Sequence, residues 1–419
     1  MYRYFFIAGN NMRKQKGDMI TFFFLTAIAS ILIFISLSFL TGTSRVIDTA
    51  RENIKGVDIL ILFSGDEMSE EKIKEIIQGN VYLDKPDTSK YLSASAKHRR
   101  KGQKSWTEYP FHICSYEEER KLHTISIDTR GLSGNETILP VAMSTSYDRG
   151  DILQLKIGDN IYDLKVSGYN EDPFYCSPVN IGTDLIFVSQ KMYNDILFEN
   201  SATISECRHI KVNLTGTARK KHMDTNVLSD KIANGYMDWY TDYKASHPEY
   251  ESGGMNILPF ELMKTASMIL PFIFIALVLV FALIVFIIAI VIINFSVKNF
   301  IMTNLKNTAI MEASGYTVRE LVLILLCQLL VVAAAGSLFG VVEGVALIDK
   351  LKVIILMTLG LSWNQPVNPV ICVSVILGIC LIISVLTFVI GREYNKISVL
   401  DALRGGINAH NYKKNYFAF

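Results

Sequence analysis

A chain of 419 residues with a formal net charge of +1 has no basic excess to neutralise a phosphate backbone, which excludes nucleic acid as a partner. Hydrophobic residues make up 50% and charged residues only 19%, and this balance is too apolar for an ordinary water-soluble chain of this length. The apolar residues are also unevenly distributed, with one run near the N-terminus and three in the last third.

Residues 1–18 carry Arg3, Arg13, Lys14 and Lys16 ahead of the first run, Met19–Leu40, which has no charge between Asp18 and Arg45. A bilayer core takes roughly 20 apolar helical residues to cross, so residues 19–44 are predicted as the first transmembrane helix. The run is longer than the roughly 7–15 residues of a signal peptide's apolar region. No A-x-A-like site follows it in Phe39-Leu40-Thr41-Gly42-Thr43-Ser44, so a retained anchor is expected. Val46, Ile47, Ala50 and Ile54 keep helical spacing through Arg51, Glu52 and Lys55, which carries the helix on into a stalk.

Residues 45–262 read as a large mixed α/β domain. Val57–Phe63 is a short apolar strand, and Ser69, as N-cap, opens a helix with Ile73, Ile76 and Ile77 on one face. Arg99–Lys104 is a basic loop tip. Ile152–Ile157 and Ile161–Val166 flank the turn Gly158-Asp159-Asn160. Asp184–Ser189 and Lys211–Leu214 are further strands, and Lys221–Tyr243 reads as a helix. Cys114, Cys176 and Cys207 allow at most one disulfide here, and spacing does not say which.

Three more apolar runs follow: Thr265–Val297, Leu321–Val342 and Val353–Gly391. They predict transmembrane helices at 263–297, 320–346 and 369–391. The segments between are a cytoplasmic one at 298–319 and a short extracytoplasmic loop at 347–368, with a cytoplasmic tail at 392–419. Lys298, Lys306 and Arg319 fall between spans two and three, and Arg392, Lys396, Arg404, Lys413 and Lys414 follow span four. By the positive-inside bias both termini are cytoplasmic and the domain at 45–262 lies outside. The fold class is thus a membrane α-helical bundle of four helices, arranged one plus three, with a large extracytoplasmic α/β domain between the first two.

Two membrane features carry a mechanism. Gly336, Gly340 and Gly344 recur every four residues, so another helix can approach closely. That helix belongs either to a second copy or to the same bundle. Between spans two and three, Phe300, Ile301, Leu305, Ile310 and Met311 form an apolar side against Lys298, Lys306 and Glu312. Gly315 stops this helix, and Thr317-Val318-Arg319-Glu320 fits a capping box that starts the next one. Such an amphipathic segment lies on the membrane or docks in a partner's groove.

The chain has no G-x-x-x-x-G-K-[ST] phosphate loop and no H-E-x-x-H, C-x-x-C or G-x-S-x-G motif. His98, His112 and His123 lack ligand-like spacing, and Glu117-Glu118-Glu119, followed by Arg120 and Lys121, is a solvated face. No catalytic residue, metal ligand or cofactor is expected on this chain.

Taken in order, these features resemble the FtsX-like and MacB-like family of ABC-transporter permeases. The one-plus-three arrangement is the family's own. Asn307-Thr308-Ala309-Ile310-Met311-Glu312-Ala313-Ser314-Gly315-Tyr316 is similar to its stretch between spans two and three, and Gly336 and Gly340 to its glycines in span three. Val399-Leu400-Asp401-Ala402-Leu403-Arg404 resembles its C-terminal ending. Ile138-Leu139-Pro140, Leu155-Lys156-Ile157-Gly158-Asp159 and Val166-Ser167-Gly168-Tyr169 are similar to its extracytoplasmic core. The chain departs from the pattern at Ala313-Ser314, where a basic residue is usual.

The resemblance implies a permease subunit without its own ATPase site. ATP and Mg are bound by a separate cytoplasmic ABC ATPase, which docks on Leu305, Lys306, Ile310, Met311, Glu312, Gly315 and Tyr316. It also implies a second four-span permease, identical or homologous, and transmission of ATP-driven motion to the outer domain. The expected cargo is a peptide of the bacteriocin or antimicrobial class, in a bacterial cell membrane. Regulation of cell-wall hydrolases, peptide sensing for a histidine kinase and transport of lipids or lipoproteins are the alternatives.

Overall fold

Four helices are long and apolar enough to cross a membrane in the computed structural model, which describes residues 2–14, 16–176, 181–303 and 315–391. After a short helix α1 (Tyr2–Lys14), α2 (Lys16–Asn53) is continuous for 38 residues, about 57 Å at 1.5 Å per residue. The second span opens as α7 (Phe260–Ser267) and continues as α8 (Ile269–Thr303). The break at Met268 has a local cause: Pro271 has no N–H to return to Ser267, so the uncharged run from Thr265 is two helices, not one. The remaining spans are α9 (Val318–Leu359) and α10 (Pro369–Gly391).

Helix α9 runs past residue 346, where a loop was predicted, to Gly360, whose φ of +73° ends it in the left-handed region. Lys350 and Lys352 fall within the loop predicted at 347–368, but a helix leaving the hydrocarbon carries lysines without penalty. In α2 and α9 about half of the most apolar window is buried (44% and 50%), against 17% for the second span and 22% for α10. Helices α2 and α9 are therefore the packed pair, and α8 and α10 present mainly apolar exposed surface.

The described residues divide into two units. The membrane unit draws on Met1–Leu40, Phe274–Lys350 and Pro366–Phe419; the inserted unit consists of Thr41–Ile273 and Leu351–Gln365.

The inserted unit contains nine strands: β1 (Ile59–Ser64), β2 (Asp87–Arg100), β3 (Thr107–Ser115), β4 (Glu136–Pro140), β5 (Ile152–Ile157), β6 (Asn160–Asn170), β7 (Asp184–Val188), β8 (Ser205–Val212) and β9 (Gly254–Pro259). Their order is β3-β7-β4-β6-β5-β2-β8-β1-β9, and β3 also pairs with β2, so six strands close into a ring. The 14-residue β2 makes this possible. Its first half pairs with β8, its middle with β3 and its end with β5. Leu92, Ala94 and Ala96 of β2 point into the ring with Phe111, Ile113, Leu153, Leu155, Leu164, Val166 and Ile186, forming one core.

Beyond the ring, β8, β1 and β9 carry a second core under α3 (Glu67–Gln78) and α6 (Thr225–Ser246), built from Ile59, Ile61, Phe63, Ile73, Ile77, Leu228 and Ile232. The N-cap of α3 is Asp66, which accepts from the Ser69 amide at 2.8 Å, so the cap lies three residues before the predicted Ser69. The helix predicted at Lys221–Tyr243 starts four residues later and ends three later, as α6. Helix α5 (Gly216–Lys220) precedes a turn with His222 at φ +49°, and Asp224 then caps α6. The ring also packs α4 (Gln190–Glu199), capped by Ser189. None of the six cysteines forms a disulfide, and Cys114, Cys176 and Cys207 are buried.

Candidate functional site: the neck of the inserted unit

Within the inserted unit, the end of α2, the start of α7 and the end of α9 meet the sheet at one place. Its centre is Asp58, just before β1 and only 6% exposed. Arg51, on the last turn of α2, pairs with Asp58 Oδ1, and Arg219 of α5 reaches Oδ2 at 2.6 Å. The Leu214 amide donates to the same Oδ2 at 2.7 Å, and the Asp58 amide donates to Asn213 Oδ1 at 3.1 Å. The Arg51 guanidinium lies 4.2 Å over the ring of Phe260, the first residue of α7. One buried carboxylate thus ties α2 to the sheet and to α5, while its main partner stacks on the entry to the second span.

The neighbouring contacts reinforce this fastening. Lys264 of α7 reaches both carboxylate oxygens of Asp48 on α2, at 2.6 and 2.8 Å. The end of α2 and the two residues that follow it are also fastened through their carbonyls, which no helical amide can serve. Gly56 N donates to Arg51 O at 2.7 Å, Thr124 N to Ile54 O at 2.6 Å and His123 N to Lys55 O at 3.0 Å. Two glycines allow close approach. A Cβ on Gly42 would lie 2.7 Å from Trp363 Cζ2, and one on Gly360 would lie 2.5 Å from the carbonyl carbon of Cys176.

A buried polar chain adjoins the neck. His123 Nε2 lies 2.7 Å from Asp172 Oδ2, and its ring meets Phe174, which in turn meets Phe260. The Tyr175 hydroxyl bridges His112 Nδ1 at 2.8 Å and His209 Nε2 at 2.7 Å, and Tyr91 stacks on His209. Lys211, fully buried, has Asp87 Oδ2 at 3.3 Å. Burial pushes His112 down to about 4 and His209 well below the usual histidine range, the latter helped by His112 and His123 nearby. Burial also lowers Lys211, against the pull of Asp87.

The fold thus gathers His112 and His123 with His209, and sends His98 elsewhere, to Tyr147 Oη at 2.8 Å. A tyrosine hydroxyl and stacked rings join the histidines, and no group of three potential ligands converges on a metal position among the described residues. The basic tip is likewise engaged. Arg100 pairs with Asp151 at 2.6 Å, Lys101 with Asp163 at 2.6 Å, and Arg99 stacks on Trp106.

Of the residues predicted to dock an ATPase, Leu305, Lys306, Ile310, Met311 and Glu312 lie outside the described residues. Gly315 and Tyr316 are described, and Gly315 has φ +94°. Directly after them, Thr317 N donates to Glu320 Oε2 at 2.8 Å and Glu320 N to Thr317 Oγ1 at 3.4 Å, a reciprocal capping box at the start of α9.

The glycine face is placed unambiguously. A Cβ on Gly336 would lie 2.7 Å from Phe23 O, one on Gly340 2.7 Å from Ser30 Cβ, and one on Gly344 2.7 Å from Phe34 Cδ1, all on α2. Ser30 Oγ donates to Ser337 O at 2.9 Å across the same seam. The face is therefore occupied within one chain, and the reading in which it joins two copies is corrected. The exposed side of the helix, with Leu338 at 56%, is elsewhere.

Neither Asp58 nor Arg219 stood out in the sequence, since single charges beside a strand or on a short helix carry no periodic signal. Arg51, Lys264 and Phe260 are visible there only as punctuation around the apolar runs.

Comparison with known proteins agrees with this architecture in its membrane part. Residues 279–399 match the model of the FtsX-like permease C-terminal family. No curated protein matches the chain. Among solved structures, the extracellular domain of the noncanonic ABC-type transporter YknZ from Gram-positive bacteria aligns at 12% identity with a TM-score of 0.24. That alignment covers 47% of this chain and 98% of that one. The chain is thus a multi-pass membrane protein with four candidate spans and an α/β domain after the first, similar over residues 279–399 to the C-terminal part of FtsX-like permeases.

Proposed function

We propose that the chain is the permease subunit of an ABC transporter and works as a mechanical transmitter. A separate cytoplasmic ATPase, holding ATP and Mg, docks on the segment from Leu305 to Tyr316, and its closure displaces the helices. The neck passes that displacement to the inserted domain, which stands outside the cell membrane and handles a peptide substrate of the antimicrobial class. A second four-span copy, identical or homologous, completes the unit, because an ATPase dimer presents two equivalent docking surfaces.

The observation that carries the reading is the FtsX-like match over residues 279–399 in a chain without a phosphate loop. The neck supports the mechanical part. Separating a buried ion pair costs about 3–5 kcal/mol, so Asp58, Arg51 and Phe260 move together and little displacement is absorbed between them.

The test is a paired substitution of Ile310→Asp and Met311→Asp in the full-length protein, followed by co-purification from the native membrane. The proposal expects the ATPase to be lost while the permease remains folded and membrane-inserted. Undiminished co-purification refutes the docking assignment.

A further inference from the structure

Strand β9 is the last of the sheet, and only one of its edges is paired, to β1. The direction of its peptide groups follows from its two ends. Phe260 N donates to Asp58 O, and Gly254 N donates to Ser64 Oγ. Ladder bonds alternate along an antiparallel pair, so the amides of Asn256 and Leu258 face β1, while those of Met255 and Ile257 face away. No hydrogen bond is made by the Met255 or Ile257 peptide groups among the described residues. Edge strands are usually blunted by proline, charge or a covering element. Here only Pro259, at one end, does so.

The open edge borders a groove of roughly 290 Å³ lined by Asn226, Ser229, Asp230 and Ala233 of α6, Met255, Ile257 and Pro259 of β9, and Leu262 of α7. Two features of this groove point to an occupant. Ser229 is 6% exposed, and its hydroxyl makes no hydrogen bond. Asp230 has no ion pair among the described residues, and no cation lines the groove to balance it.

We propose that the β9 edge receives an extended peptide segment of another polypeptide, which adds a strand and places a basic side chain beside Asp230. Only an extended backbone offers N–H and C=O groups at the spacing of Met255 and Ile257. Alternate side chains of that strand enter the groove against Met255, Ile257 and Leu262. A second copy pairing through the same edge is the poorer occupant, because its groove would bring another Asp230 and no cation. The groove borders the neck through Pro259 and Leu262 but is lined by none of its charged residues, and the proposal holds whether or not the neck transmits motion.

The experiment uses the full-length protein in phosphatidylcholine nanodiscs, which carry no net lipid charge. The probe is a fluorescein-labelled octapeptide of alternating valine and lysine, compared with one of alternating valine and glutamate. Saturable anisotropy is expected for the lysine peptide, with the glutamate peptide at least tenfold weaker. Ile257→Pro removes an outward N–H without touching the β1 ladder and should weaken binding at least tenfold. Asp230→Lys, an exposed change that leaves the backbone intact, should reverse the preference between the peptides. Failure of the lysine peptide to bind, or equal binding by wild type and both variants, overturns the proposal. So does a wild-type dimer that Ile257→Pro converts to monomer, since the edge would then belong to a second copy.

Discussion

Replacing Asp58 with alanine tests the neck most sharply, because three groups depend on one carboxylate. Arg51, with a side chain 19% exposed, loses its ion partner in a nearly dry site, a change worth about 3–5 kcal/mol for a buried pair. The Leu214 amide loses its acceptor, adding about 1 kcal/mol at the lower end for an orphaned buried donor. Arg219, 54% exposed, rehydrates and contributes no more than about 0.5 kcal/mol. The sum is about 5 kcal/mol. For a unit of this size each kcal/mol lowers the midpoint by about 2–4 °C, so a fall of about 10–20 °C is expected. Arg219→Ala should cost about 1 °C, and Arg51→Ala should fall between, because Asp58 then keeps Arg219 and the Leu214 amide. Thermal unfolding of the full-length protein in nanodiscs, followed by tryptophan emission, reads all three. Equal shifts for Asp58→Ala and Arg219→Ala, or a shift below 3 °C for Asp58→Ala, would refute the clamp.

In the membrane unit, Gly340→Leu puts a side chain into the backbone of α2 and should destabilise the chain by about 1–3 kcal/mol or more, independently of protein concentration. Leu338→Ala, on the exposed side, should leave the midpoint within about 2 °C. If Gly340→Leu instead keeps its midpoint and only halves the particle mass, the intrachain seam is wrong. Acid should weaken the inserted unit. His112 and His209 are held neutral when folded, so the unfolded chain binds more protons below about 6.5, and stability is lost as pH falls toward 4. Asp184, pushed up to about 6 by burial, acts in the opposite direction and offsets about one histidine, which leaves a net loss. Denaturant midpoints at pH 7 and pH 5 check the sign, and a higher midpoint at pH 5 would contradict it. The expected orientation is tested by cysteine accessibility in a Cys-free background. A membrane-impermeant reagent should label Ser105→Cys on intact cells and spare Asn307→Cys, and equal labelling of both would reject that orientation.

Much of the architecture was legible because lipid leaves a one-dimensional record. Four charge-free runs long enough to span are readable without any knowledge of packing. The hairpin of β5 and β6 was readable for a similar reason, since alternation on both sides of Gly158-Asp159-Asn160 states its own register. Helix ends were less legible. Lys350 and Lys352 looked like a loop but sit on a helix that no residue interrupts before Gly360, and the weak start at Ser69 hid the true cap at Asp66. The closed ring was invisible because β2 serves three neighbours, and no local pattern encodes which strand lies beside which. The neck was harder still. Asp58, Arg51 and Arg219 are 7 and 161 residues apart along the chain, and their meeting follows from the sheet order. The glycine spacing announced close packing, but only the geometry showed that its partner is α2.

The central claim is that ATP-driven motion reaches the inserted domain through the neck. Amide hydrogen exchange at residues 48–58 and 258–267 tests it most directly, in the full-length protein bound to its ATPase and compared with and without ATP. The account predicts a change in protection at both segments on adding ATP, absent when Ile310→Asp and Met311→Asp are present. Exchange at the neck that is identical with and without ATP, in a complex that still hydrolyses it, would contradict the account.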